Sequence, residues 1–139
     1  MGHQGTGLTP VSDSHGIILL AHGSRDPLWR GPIEAVRMHI QQTQPLLPVR
    51  CAYLELCAPS LKEAVQELAA MELRHVAIVP MFVGAGRHVR EDLPSMVQDL
   101  GRQIPHMQLT LHSPIGEDAR MTTLMAHIAI EAAARQQLD

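Results

Sequence analysis

The sequence predicts an α/β domain of three layers, α/β/α, in which a four-stranded, mostly parallel sheet lies between helices in the order βαβαβαβα. Three observations predict it. Apolar runs suited to strands alternate along the chain with segments whose apolar residues follow helical 3/4 spacing. The run from His75 to Phe82 is almost wholly apolar, as in a strand covered on both faces. Finally, His22, Glu55 and His88 each lie at or just past the end of an apolar run, at a constant interval of 33 residues. That pitch suits one strand, one loop and one returning helix.

The first strand is expected over Gly16–Ala21, ending in the breaker-rich loop His22-Gly23-Ser24-Arg25-Asp26-Pro27. A helix follows from about Pro32 to Gln44, with proline near its first turn, and Pro45 and Pro48 close it. The second strand is expected over Val49–Leu56. Ser60 and Glu63 then stand in capping-box relation, and Leu61, Ala64, Val65, Leu68 and Met71 give the second helix one apolar face. After the third strand, His75–Phe82, comes the segment Val83-Gly84-Ala85-Gly86-Arg87-His88, and a helix is expected from about Asp92 to Gln103. The fourth strand, Met107–His112, alternates apolar and polar residues, which suits a sheet edge. A last helix, Glu117 to about Leu138, carries Met121, Leu124, Met125, Ile128 and Ala132 on one stripe.

Composition narrows the function classes. The chain has 139 residues, enough for one domain with a sizeable core, and 45% of them are hydrophobic. Residues 1–15, rich in Gly, Ser, Thr and His, read as a disordered leader ahead of a single domain, 16–139. They lack the basic start and apolar segment of a secretory signal. No apolar stretch approaches the roughly 20 residues needed to cross a bilayer, so the expected location is cytoplasmic, with no membrane partner. A net charge of −3 and only three aromatic residues besides histidine argue against nucleic acid as a partner. Cys51 and Cys57 would lie roughly 20 Å apart on an extended strand, beyond disulfide reach, and are expected to be reduced.

Parallel strands joined by right-handed crossovers place all their C-terminal ends at one edge, where open α/β sheets bind ligands. His22, Glu55 and His88 are then expected to converge there. Two imidazoles and a carboxylate suit Zn²⁺, Co²⁺, Ni²⁺ or Fe²⁺, and the same groups can accept protons near neutral pH. Gly84 and Gly86 let backbone approach a flat ligand closely. Arg25, Arg87 and Arg90 are suited to ligand carboxylates. There is no P-loop, no Rossmann fingerprint and no nucleophile elbow.

Three blocks in order carry a resemblance: Leu20-Ala21-His22-Gly23-Ser24-Arg25-Asp26, then Ala52-Tyr53-Leu54-Glu55, then Pro80 through Pro94 with Gly84-Ala85-Gly86-Arg87-His88 at its centre. Over about residues 16–135 the chain resembles the sirohydrochlorin chelatases of the class II chelatase fold, in their short, single-domain form. The resemblance implies insertion of a divalent metal into sirohydrochlorin, a tetrapyrrole, with release of two protons. The expected metal is Co²⁺ for cobalamin synthesis, with Fe²⁺ or Ni²⁺ as the alternatives. The metal is a substrate, and no tightly bound cofactor is expected. By position, His22 and His88 would be metal ligands, His22 also a proton acceptor, and Glu55 would bind metal or take a pyrrole proton. Val83, Gly84, Ala85, Gly86, Arg87 and His88 would lie against the macrocycle, and Arg25 would meet its carboxylates. Short members imply a homodimer with methionines at its interface. Two other readings use the same residues: a non-catalytic metal or tetrapyrrole carrier, and a Zn²⁺ hydrolase.

Overall fold

Backbone pairing places four strands side by side in the order β2-β1-β3-β4, all parallel, in the computed structural model of residues 13–138. The strands are β1 (His15–Ala21), β2 (Val49–Tyr53), β3 (His75–Pro80) and β4 (Gln108–Leu111). The helices are α1 (Gly31–Thr43), α2 (Leu61–Ala69), α3 (Arg87–Gln103) and α4 (Ala119–Leu138), with short 3-10 turns at Pro27–Arg30 and Ile115–Glu117. The predicted element order and parallel sheet are therefore present, and β4 is an edge strand as its alternation implied.

The period-2 direction of side chains divides the core between the two sheet faces. Ile18, Leu20, Ala52, Val76 and Ile78 pack with Leu61, Ala64, Val65 and Leu68 of α2 and with Leu93, Val97 and Leu100 of α3. On the opposite face Leu19, Ala21, Val49, Cys51 and Tyr53 pack against Ile33, Val36 and Ile40 of α1. Ile18, Leu20 and Ile78 are fully buried, and each such side chain contributes about 1.5–3 kcal/mol relative to exposure. The capping box is formed: the Glu63 amide donates to Ser60 Oγ at 3.1 Å, and the Ser60 amide donates to Glu63 Oε1 at 2.8 Å.

Several expectations are corrected. β2 ends at Tyr53, not Leu56. The chain turns there, with Leu56 at φ 68° and the Cys57 amide donating to the Glu55 carbonyl at 2.8 Å. The extended segment assumed between Cys51 and Cys57 is thus absent, yet both cysteines are free. α3 begins at Arg87, not Asp92, because extended Gly86 serves as its N-cap and the Arg90 amide bonds to the Gly86 carbonyl. Pro94 accordingly sits inside α3, where it removes one intrahelical donor. Arg87 and His88 are therefore helical rather than part of the loop.

The third strand was expected to be covered on both faces. Instead β3 alternates: Val76, Ile78 and Pro80 are buried, whereas Ala77 and Val79 on the α1 side are only half-buried. α1 covers β1 and β2 but stops short of β3. Lastly, α4 starts at Ala119 rather than Glu117, because Glu117 closes the 3-10 turn and Asp118 stays extended. The strand β1 begins at His15, one residue earlier than expected. Residues 1–12 of the expected leader lie outside the described residues. No helix among the described residues is long and apolar enough to cross a membrane.

Candidate functional site

Hydrogen bonding between β1 and β2 continues past their ends. The Leu54 amide donates to the Ala21 carbonyl and the Glu55 amide to the His22 carbonyl, both at 3.0 Å. His22 and Glu55 are thereby fixed as backbone neighbours at the C-terminal edge of the sheet, and both are exposed. Gly23 makes this possible. Its φ is +108°, and a Cβ built there would lie 1.8 Å from the Glu55 carbonyl oxygen. Any side chain would push the two loops apart, which is the physical reason glycine follows His22.

The His22 ring stacks on Phe82, with centroids 4.3 Å apart and planes inclined by 25°. Phe82 is buried and ends the third apolar run, so a core residue orients an exposed imidazole. Beyond it, the loop Val83–Gly86 is braced by the 3-10 turn Ile115–Glu117. The Gly116 amide donates to the Phe82 carbonyl at 2.9 Å, and a Cβ on Gly116 would lie 1.9 Å from the Val83 carbonyl oxygen. At Gly84 and Gly86 an added Cβ would meet nothing within 4 Å. The backbone of this loop is open to a flat partner.

His88 stands on the first turn of α3, exposed, beside a cavity of about 170 Å³ lined also by Leu54, Val89, Asp92, Leu93 and Met96. Leu54 joins that cavity to the strand end carrying Glu55. Among the described residues, no three His, Cys, Asp or Glu side chains are grouped so as to hold a metal. His22 and Glu55 are joined through their backbones, while His88 is directed by a helix rather than a strand end. The single three-ligand set expected from the interval is not assembled in this arrangement.

The guanidiniums divide in a similar way. Arg87 Nε donates to Glu91 Oε1 at 3.1 Å, one turn along α3. Arg25 and Arg90 form no ion pair among the described residues. Arg90 lines a second cavity, about 350 Å³, whose wall includes Phe82, Ala85, His112 and Glu117. Behind the site, on the α1 side, burial pushes the Cys51 thiol up to about 11 and the Tyr53 phenol up to about 12. The Tyr53 hydroxyl is buried without a hydrogen-bond partner.

Of the residues singled out in the sequence, His22, Glu55 and the glycine loop are brought to one edge of the sheet, while Phe82 and Gly116, which brace them, had not been singled out. Phe82 had one legible signal, its place immediately before that loop. Gly116 had none, because its close neighbour is 33 residues earlier in the chain.

The geometry has counterparts in known proteins. Over 81 residues the chain is 31% identical to the sirohydrochlorin cobaltochelatase of Methanopyrus kandleri, covering 58% of this chain and 57% of that one. It is also 31% identical over 108 residues to the chloroplastic sirohydrochlorin ferrochelatase of Arabidopsis thaliana, covering 76% of this chain and 47% of the relative. The chain thus matches about half the length of these curated relatives. The crystal structure of a CbiX protein from Marinobacter aquaeolei VT8 superposes with a TM-score of 0.77 at 32% identity, covering 87% of this chain and 98% of that one. The CbiX family model matches residues 16–132, which contain the four strands but for His15 at the start of β1 and every residue of the site just described, and the chain belongs to the CbiX family.

Proposed function

We propose that the protein inserts a divalent metal, Co²⁺ in the first place, into sirohydrochlorin, releasing the two pyrrole protons as the ring nitrogens take the metal. The observation that carries this reading is the fixed His22–Glu55 pair at the sheet edge, with the His22 ring stacked on Phe82, the residue that leads into a loop whose glycine backbone is open. A metal-inserting site must deliver its ion to four ring nitrogens, so the protein should hold it through few ligands and release it readily. In this reading His22 and His88 bind the arriving metal and His22 accepts a pyrrole proton, an exchange suited to imidazole near neutral pH. Glu55 accepts the second proton or steadies the metal. The loop Val83–Gly86 lies along the macrocycle, and Arg25 and Arg90 pair with its carboxylates.

Both a cobaltochelatase and a ferrochelatase stand among the relatives at equal identity, so Fe²⁺ is the second reading for the metal. Mixing the protein anaerobically with sirohydrochlorin and Co²⁺, Fe²⁺ or Ni²⁺ in turn, and following the absorption spectrum, tests the proposal. Acceleration over the spontaneous rate is expected, greatest for Co²⁺. Rates equal to the protein-free control with all three metals would refute a chelatase.

A further inference from the structure

We infer that His15, His75 and Gln108 form a second metal site, for a divalent ion of the zinc, nickel, cobalt and copper class, at the edge of the sheet opposite His22 and Glu55. The register of three strands brings these residues together. His15 pairs with His75 across β1 and β3, and His75 pairs with Gln108 across β3 and β4, so the three occupy one row of the sheet. Side chains alternate between the faces along each strand. The next residues, Gly16, Val76 and Leu109, turn to the α2–α3 side, where Gly16 faces Leu68 and Leu73. His15, His75 and Gln108 therefore share the α1 side.

The two imidazoles already stand side by side. Their ring centroids are 4.7 Å apart and their planes are inclined by 22°. Two nitrogens held at about 2.0–2.1 Å from one ion lie roughly 3.3 Å apart in a tetrahedral shell. Rings at this separation reach that distance by tilting their nitrogen edges together, with no movement of the strands. His75 and Gln108 are exposed and His15 is half-buried. α1 covers β1 and β2 and stops short of β3, so an ion can reach the row from solvent.

The ligand types decide the class of ion. Neutral imidazole is the commonest protein ligand of transition metals. Gln108 supplies a carboxamide oxygen from the third strand, and water completes the shell. A glutamine in the third place is also why the row is not a cluster of His, Cys, Asp and Glu side chains. Magnesium and calcium require a shell of oxygens, so they are disfavoured, whereas imidazole suits the borderline ions. His15 lies seven residues before His22 on the same strand, roughly 20 Å away. An ion held here is too distant to enter a ring bound at the other edge. Its effect is on the fold: it joins the starts of β1, β3 and β4, which meet only in the folded chain, so occupancy raises stability by mass action.

The test uses the full chain with Zn²⁺ alone. His22→Ala with His88→Ala removes binding at the opposite edge. On that background calorimetry should find one Zn²⁺ per chain, and the melting temperature should rise by several degrees, with no response to Mg²⁺. His15→Ala and His75→Ala should each abolish both signals while leaving the metal-free melting curve close to that of the background. Gln108→Glu should tighten binding by placing a carboxylate where the carboxamide stands, and Gln108→Ala should weaken it. His106→Ala, at an exposed histidine just before β4 and outside the row, should change nothing. No Zn²⁺ binding on that background, binding that survives His75→Ala, equal loss in His106→Ala, or indifference to Gln108→Glu would each overturn the inference. In the otherwise wild-type chain His75→Ala should leave metal insertion intact, so this site and the insertion reading stand or fall separately.

Discussion

The imidazole of His22 lies against the ring of Phe82 at 4.3 Å, so a residue of the hydrophobic core sets the attitude of an exposed imidazole at the sheet edge. Such a stack is worth about 0.5–1.5 kcal/mol beyond simple burial. Replacing His22 by Ala should abolish metal insertion and cost no more stability than the stack itself contributes, since the side chain is otherwise exposed. Phe82→Ala should cost about 3–5 kcal/mol of stability. At a temperature where it is still folded, it should also insert metal up to about tenfold more slowly, as the loss of the stack implies. Full turnover by either variant would remove the pair from the mechanism.

Gly23 couples the two loops that carry His22 and Glu55. Gly23→Ala places a Cβ against the Glu55 carbonyl at a backbone φ of +108°, so both sterics and conformation oppose it. Thermal unfolding should show a clear loss of stability, and metal insertion should fall further than at Gly84→Ala, where the added methyl meets only open space. Equal activity in the two alanine variants would contradict the coupling.

Tyr53 is buried, its hydroxyl has no partner, and the desolvated phenol is pushed up to about 12. An unpaired buried hydroxyl costs about 1–3 kcal/mol relative to an apolar surface of the same shape. Tyr53→Phe should therefore leave the denaturant midpoint unchanged or raise it. A fall of more than about 1 kcal/mol would mean that the hydroxyl is bonded after all.

The two thiols should differ in reactivity with pH. Burial holds the Cys51 thiol up to about 11, so it stays protonated through pH 9 and becomes thiolate only as the pH rises towards that value. Half-buried Cys57 should react first with iodoacetamide at pH 8, and mass spectrometry of the digested protein reads the order. Because the folded Cys51 holds its proton where an unfolded thiol, near 9, has lost it, the native state is disfavoured as pH climbs through that interval. Cys51→Ala should flatten this alkaline loss, and an unaltered slope would assign it elsewhere.

Much of this was legible in the sequence because it depends on local rules. Alternation of apolar runs and 3/4 spacing set the strands and helices, Ser60 and Glu63 announced the start of α2, and β4 showed its edge position in its alternation. The positions of His22 and Glu55 followed from the same rules, since a parallel sheet brings strand ends to one edge. The resemblance around Gly84–His88 gave the family. Boundaries set by backbone turns were less legible. Leu56 at positive φ ended β2 early, and extended Gly86 opened α3 five residues before the expected start.

The sequence by itself determined the element order, the edge at which the strand ends gather and the residue types available there. Only the tertiary structure decided that His22 rests on Phe82, that Gly23 must be bare because Glu55 is behind it, and that His88 belongs to a helix. It alone showed that β3 stays half-covered on the α1 side. The reason is range. Periodicity and capping act within a few residues, whereas Gly116 against Val83 or His22 against Phe82 depends on contacts between segments that no local pattern encodes.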